Sequence, residues 1–146
     1  MYRTVFVRHR RRAIAGIAVL AAAGAVSGEA LASSPYSVVV TTMPGVLHKG
    51  QLMDIIATGH SSNASRLTVF VDPLPCASLA TVEVTHPKAL KVISHIVVNN
   101  FTRVRTRHAT VIGVHHVCAY LTALPPKAPL KLQYATDTTS FKVVAG

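Results

Sequence analysis

Tryptophan is absent from this 146-residue chain, acidic residues number only five, and charged residues make up 14% of the whole. The scarcity of carboxylates bears directly on chemistry. With Glu29 set aside as part of a leader, Asp54, Asp72, Glu83 and Asp137 remain, no two at short spacing. Acid and base work by paired carboxylates is therefore hard to build locally. There is no Gly-x-Ser-x-Gly elbow, no HxH or HExxH spacing and no glycine-rich phosphate loop, so the sequence gives no positive ground for a serine hydrolase, a zinc protease or a nucleotide site. Internal repeats are missing too, and no helix longer than two turns is expected beyond the leader. What the chain does have after residue 35 is Val, Thr and Ile in abundance, a composition that favours strands.

The first 32 residues read as a secretory signal peptide. Met1 to Arg12 is cationic, Ala13 to Val26 is uncharged and apolar, and Ala30-Leu31-Ala32 is a small-x-small site ahead of Ser33-Ser34-Pro35. That three-part order places the positive end on the cytoplasmic side, the apolar run in the translocon and small side chains in the peptidase pocket. Ser27, Gly28 and Glu29 interrupt the run well short of the roughly 20 residues a span requires. Cleavage is expected between Ala32 and Ser33, and membrane contact only through the transient leader. Arg11-Arg12-Ala13-Ile14 also admits a twin-arginine route. Residues 33–146 then form one domain with ten Lys/Arg against four acids. The resulting basic field favours anionic partners and is screened by salt.

Strand-like runs recur at the spacing of an all-β sandwich or barrel. Tyr36 to Thr42 ends at Met43-Pro44-Gly45. Gln51 to Thr58 puts Met53, Ile55 and Ala57 on one face and closes at a turn, Gly59-His60-Ser61-Ser62-Asn63. Arg66 to Asp72 points Leu67, Val69 and Val71 inward. A short segment, Ala80 to Thr85, precedes the longer run Val92 to Phe101. Thr110 to Leu121 sets Val117, Ala119 and Leu121 on one face and Cys118 and Tyr120 on the other, and is stopped by Pro125, Pro126 and Pro129. Lys131 to Ala135 and Ser140 to Val144 form a final strand, or a hairpin around Thr136-Asp137-Thr138-Thr139.

The order of these runs, the stretch from Gly113 to Leu121 containing Val117-Cys118-Ala119-Tyr120, and the Gly50 to Gly59 strand together resemble exported bacterial immunoglobulin-like domains. The resemblance spans most of residues 36 to 144 and implies a sandwich of about seven strands. Antibody-type domains carry a core Trp and a Tyr two residues before the second Cys. Here there is no Trp, and His116 holds the Tyr position. Cys76 follows the third run, so the family's core disulfide does not carry over and the likeness bears on fold alone.

Two cysteines in an exported domain are expected to be bonded, Cys76 to Cys118, since oxidising compartments retain disulfides. Seven histidines follow the leader: His48, His60, His86, His95, His108, His115 and His116. Adjacent strand residues point to opposite faces, so His115 and His116 cannot share a metal; a set such as His95 with His108 would have to assemble from a distance, and no metal or cofactor is expected. The sharpest surface feature is Arg103-Val104-Arg105-Thr106-Arg107, which when extended places three guanidinium groups on one face over about 13 Å. Such a ridge suits a polyanion, and it equally suits a charged edge strand that resists sheet-to-sheet aggregation. Phe101 is the sole nearby aromatic, which argues against single-stranded nucleic acid.

The functional expectation is an exported, non-enzymatic binding or structural module engaging protein or cell-envelope polymer through loops or a sheet edge. The alternatives are a small secreted enzyme assembled from scattered His and Asp, and a polyanion binder using Arg103, Arg105 and Arg107. A pocket holding His and carboxylate within hydrogen-bond reach would separate enzyme from module.

Overall fold

A computed structural model describes residues 34–124 and 132–146, all within one compact unit, Ser33–Gly146. The leader, the Ala32/Ser33 cleavage site and the Pro125-Pro126 stop lie outside the described residues. The elements are β1 (Tyr36–Met43), β2 (Val46–His48), β3 (Leu52–Asp72), α1 (Ala80–Glu83), β4 (Leu90–His108), β5 (Gly113–Ala123) and β6 (Gln133–Val144). The described part is thus all-β apart from one helical turn.

Six strands join in a single sheet, ordered β1-β3-β5-β6-β2, with β4 pairing β3 as well. The long β3 organises it. One of its edges pairs antiparallel with β4 along nearly its whole length, Leu52 opposite His108 to Val71 opposite Leu90. The other edge is shared: β1 takes residues from Asp54 to Ser61 and β5 takes Ser65 to Asp72. β6 adds antiparallel to β5, and β2 lies parallel to β6.

The bend that lets β3 serve two partners sits between Ser61 and Ser65, where the ladder to β4 shifts register. Both serine hydroxyls are fully buried and donate to the carbonyl of Asn63, and the two lie 2.7 Å apart. These local bonds satisfy backbone that the bulge takes out of the ladder. Asn99, opposite Ser61, adopts a left-handed φ of 57°. The expected turn at Gly59 to Asn63 is therefore a bulge inside one 21-residue strand. Turn-forming side chains do end regular pairing here, but they do so without reversing the chain.

This merger is one reason six strands stand where about seven were expected. Two other runs also differ. Ala80 to Thr85 winds as α1, and Gln133 to Val144 is one continuous strand, because Thr136 to Thr139 keep their pairing with Val117 to Tyr120. β2 was not anticipated; at three residues it is too short to show a period.

Curling brings β1 back towards β6. No ladder joins them, but the Val40 amide donates to the Asp137 carboxylate at 2.8 Å, and Tyr36 stacks on Tyr134 at 3.9 Å. Inside the curl lies the main core, in which Val38, Val40, Met53, Ile55, Ala57, Leu67, Val69, Val117, Ala119, Leu121 and Phe141 are buried together. A second small cluster, Phe70, Cys118 and Tyr120, is buried on the opposite sheet face. It is covered by the segment 73–89, so β5 is buried on both sides.

Candidate functional site

The cover over that outer face is irregular chain and one helical turn, held down by specific bonds. Cys76 is joined to Cys118 of β5, as expected from the sequence. The Tyr120 hydroxyl donates to the Ala77 carbonyl at 2.6 Å. Gln133 of β6 clasps the same segment twice, accepting from the Ala80 amide and donating to the Ser78 carbonyl.

Beneath this cover, Asp72, Glu83 and His86 converge, their ligand-type atoms all within 4.8 Å of one another. Asp72 is the last residue of β3. Glu83 ends α1, and the turn continues through the His86 amide, which donates to the Glu83 carbonyl at 3.0 Å. Asp72 and Glu83 are fully buried, while the His86 side chain is 23% exposed. His86 Nδ1 donates to Asp72 Oδ2 at 2.7 Å and lies 3.9 Å from Glu83 Oε2. Burial works against the charge on Asp72, but hydrogen bonds from the Leu74 amide and from His86 outweigh it, so the carboxyl sits below its ordinary value of 3.8 and is ionised at neutral pH. Burial first, and the charge of Glu83 second, push the Tyr120 phenol well above its usual range, so it stays protonated as a donor. Glu83 Oε2 accepts from the Ala77 amide and from Tyr120. Glu83 Oε1 is buried with no hydrogen-bond partner among the described residues.

The sequence placed no two carboxylates together, and the fold corrects this. Asp72 and Glu83 meet because the Pro73 to Val84 segment doubles back over β3 and β5. The available signal was Glu83-Val84-Thr85-His86, whose i,i+3 spacing shares one face of a helical turn.

A second feature is an apolar groove of about 420 Å³ lined by Met53, Val71, Leu90, Val111, Phe141 and Val143 among others. Lys88 and Arg107 also line it, and no Asp or Glu does. Two histidines of the groove are engaged with carbonyls: His108 Nδ1 lies 2.9 Å from the Gly50 oxygen, and His115 Nε2 lies 2.8 Å from that of Val111. The His115 ring also stacks on Phe141.

The three arginines alternate along β4, opposite Ala57, Ile55 and Met53 of β3. Cross-strand partners share a face, so Arg103, Arg105 and Arg107 lie on the side of the sheet that carries the core. Arg105 is exposed and the other two are half-buried. The outer side of the same stretch presents Val104. His95 and His108 lie on this one strand about 40 Å apart along the chain and do not come together. His115 faces the core and His116 lies on the opposite face, across from Asp72.

No protein-family profile and no curated protein matches the chain in sequence. Among solved structures it is similar to the CARDB domain of the PF1109 protein from Pyrococcus furiosus, described in complex with di-metal ions. That likeness has a TM-score of 0.46 at 13% identity, covering 75% of this chain and 87% of that one. It is also similar to the Pseudomonas fluorescens alkylpurine DNA glycosylase AlkC, bound to DNA containing an abasic site analogue, with a TM-score of 0.47 at 12% identity. There it covers 77% of this chain and spans 31% of the glycosylase. At these scores neither likeness decides function, and the fold rests on the strands themselves.

Proposed function

We propose that this protein is an exported, non-enzymatic binding domain of immunoglobulin-like type that seats an amphiphilic anion in the groove beside Arg107. The observation that carries this reading is the lining itself: apolar side chains form the wall, Lys88 and Arg107 supply positive charge, and no acid is present. A volume near 420 Å³ falls in the ordinary range of small-molecule sites. An apolar chain would displace water from the wall, and its anionic end would meet the two cations.

Groove geometry favours a binding module over the secreted enzyme. Its histidines hold backbone carbonyls, and no carboxylate lines it to orient an imidazole as a base. Polymer binding by all three arginines is less well served, since Arg103 and Arg107 are half-buried on the core side of the sheet.

Dodecanoate and its neutral counterpart dodecanol test the proposal, with displacement of a fluorescent apolar anion as readout. Dodecanoate should bind more tightly than the alcohol. Arg107→Glu with Lys88→Glu should weaken the acid by about tenfold or more, the scale of one charge-assisted contact, and leave the alcohol unchanged. Equal loss for both ligands, or no binding of either, refutes the reading.

Export is compatible with the disulfide, which belongs to oxidising compartments, and no helix among the described residues is long and apolar enough to cross a membrane. Mass spectrometry of protein recovered from outside the cell should give Ser33 as the first residue. A mature chain retaining residues 13 to 32 would overturn the cleavage.

A further inference from the structure

We propose that Asp72, Glu83 and His86 form a site for one divalent transition-metal cation beneath the segment 73–89, separate from the groove. Two carboxylates are fully buried side by side, and among the described residues His86 is the one basic side chain within ion-pair distance of either. Buried charge is costly unless paired, and Glu83 Oε1 has no hydrogen-bond partner among the described residues. A dication supplies the missing positive charge and a partner for that oxygen.

Donor spacing agrees with a small ion. Two ligands about 2.0–2.1 Å from a tetrahedral zinc lie about 3.3 Å from each other. The distances from His86 Nδ1 to Asp72 Oδ2 and Glu83 Oε2, 2.7 and 3.9 Å, bracket that value, and all three donors lie within 4.8 Å of one another, so side-chain adjustment without backbone rearrangement closes them round one ion. One imidazole and two carboxylates suit zinc, manganese or cobalt better than calcium or magnesium, which prefer oxygen throughout. The Ala77 amide and the Tyr120 hydroxyl orient the Glu83 carboxylate by bonding Oε2, as ligand carboxylates in metal centres are commonly held. Three protein donors leave a fourth position open, and the partly exposed edge of His86 gives the ion a way in from solvent. Binding requires the Nδ1 lone pair, so the proton now donated to Asp72 leaves to water.

Calorimetric titration of ZnCl2 into chelator-stripped protein, recovered as its host produces it, decides the matter. One equivalent should bind saturably, CaCl2 should not compete, and His86→Ala should weaken binding at least tenfold while His95→Ala does not. Unchanged affinity in a folded His86→Ala protein, or no saturable binding in the wild type, overturns the proposal. Should that variant fail to fold, histidine ring NMR of the wild type replaces it: zinc must shift the His86 ring, and shifts at His60 or His95 without His86 overturn the site. Groove binding by dodecanoate is read separately, so either proposal can fail alone.

Discussion

Replacing Cys76 and Cys118 together by alanine is expected to lower the unfolding free energy by about 4 kcal/mol, the loop-closure value for a bridge of this length, and to drop the midpoint of thermal unfolding by on the order of 15 °C. The bridge spans 42 residues in sequence, and everything between its ends except β4 and the start of β5 is joined to the sheet by few contacts. The cover has one helical turn, Ala80–Glu83, and no strand pairing. Its other ties are the bonds of Tyr120 to Ala77 and Glu83, those of Asp72 with Leu74 and His86, the Gln133 clasp and the packing of Ala80 and Ala89 against Phe70 and Tyr120. Net contributions of such hydrogen bonds are about 1 kcal/mol each, so the disulfide is the largest single constraint on the segment. Loss of the bridge should therefore show first as local opening. Hydrogen exchange at Ala77, Ala80 and Val84 should accelerate before that of the β3 and β5 amides. The check is urea unfolding at fixed protein concentration, with exchange measured in parallel. A stability loss below about 1 kcal/mol, or uniform exchange across sheet and cover, would show that the cover is held by its packing and that the bridge is dispensable.

The same segment shows where the sequence is legible and where it is not. Period-two patterns on β3 and β5 could be read because their two faces differ chemically: Met53, Ile55, Ala57, Val117, Ala119 and Leu121 all enter the main core. The cysteine pair was readable from redox logic alone. The bulge at Ser61 and Ser65 was not, since glycine, serine and asparagine mark both a chain reversal and an interrupted strand, and only the pairing of β4 across both halves tells them apart. Asp72 and His86 were invisible as partners because their approach depends on how residues 73–89 fold back, which local propensity does not encode. The arginine ridge is intermediate. Alternation put the three side chains on one face, but which face depends on the register against Met53, Ile55 and Ala57.

Gly59→Val is expected to cost at least 3 kcal/mol, and Gly59→Ala about 2, against the usual trend for strands. Alanine in place of a strand glycine ordinarily gains about 0.5–1 kcal/mol by restricting the unfolded chain. Here a β-carbon would run into the Ser37 carbonyl oxygen and the Phe101 ring. Phe101 lies directly opposite Gly59 on β4, and Ser37 neighbours its partner Val38 on β1, so glycine lets three strands close over the core at this point. The two obstacles differ in how far they can give. The ring end of Phe101 can turn aside, whereas Ser37 is backbone in a strand paired from Tyr36 to Met43, and moving it disturbs the ladder. Overpacking of this kind costs about 1–3 kcal/mol, enough to reverse the entropic gain for alanine, and the branched valine adds to it. A double-mutant cycle separates the parts. Phe101→Leu in the Gly59→Ala background should recover part of the loss as a coupling of about 0.5–1 kcal/mol and leave the remainder with Ser37. Urea unfolding of the four proteins measures all the terms. If Gly59→Ala proves as stable as the wild type, the strands are not in such close approach, and β1 packs over Phe101 more loosely than its register with β3 implies.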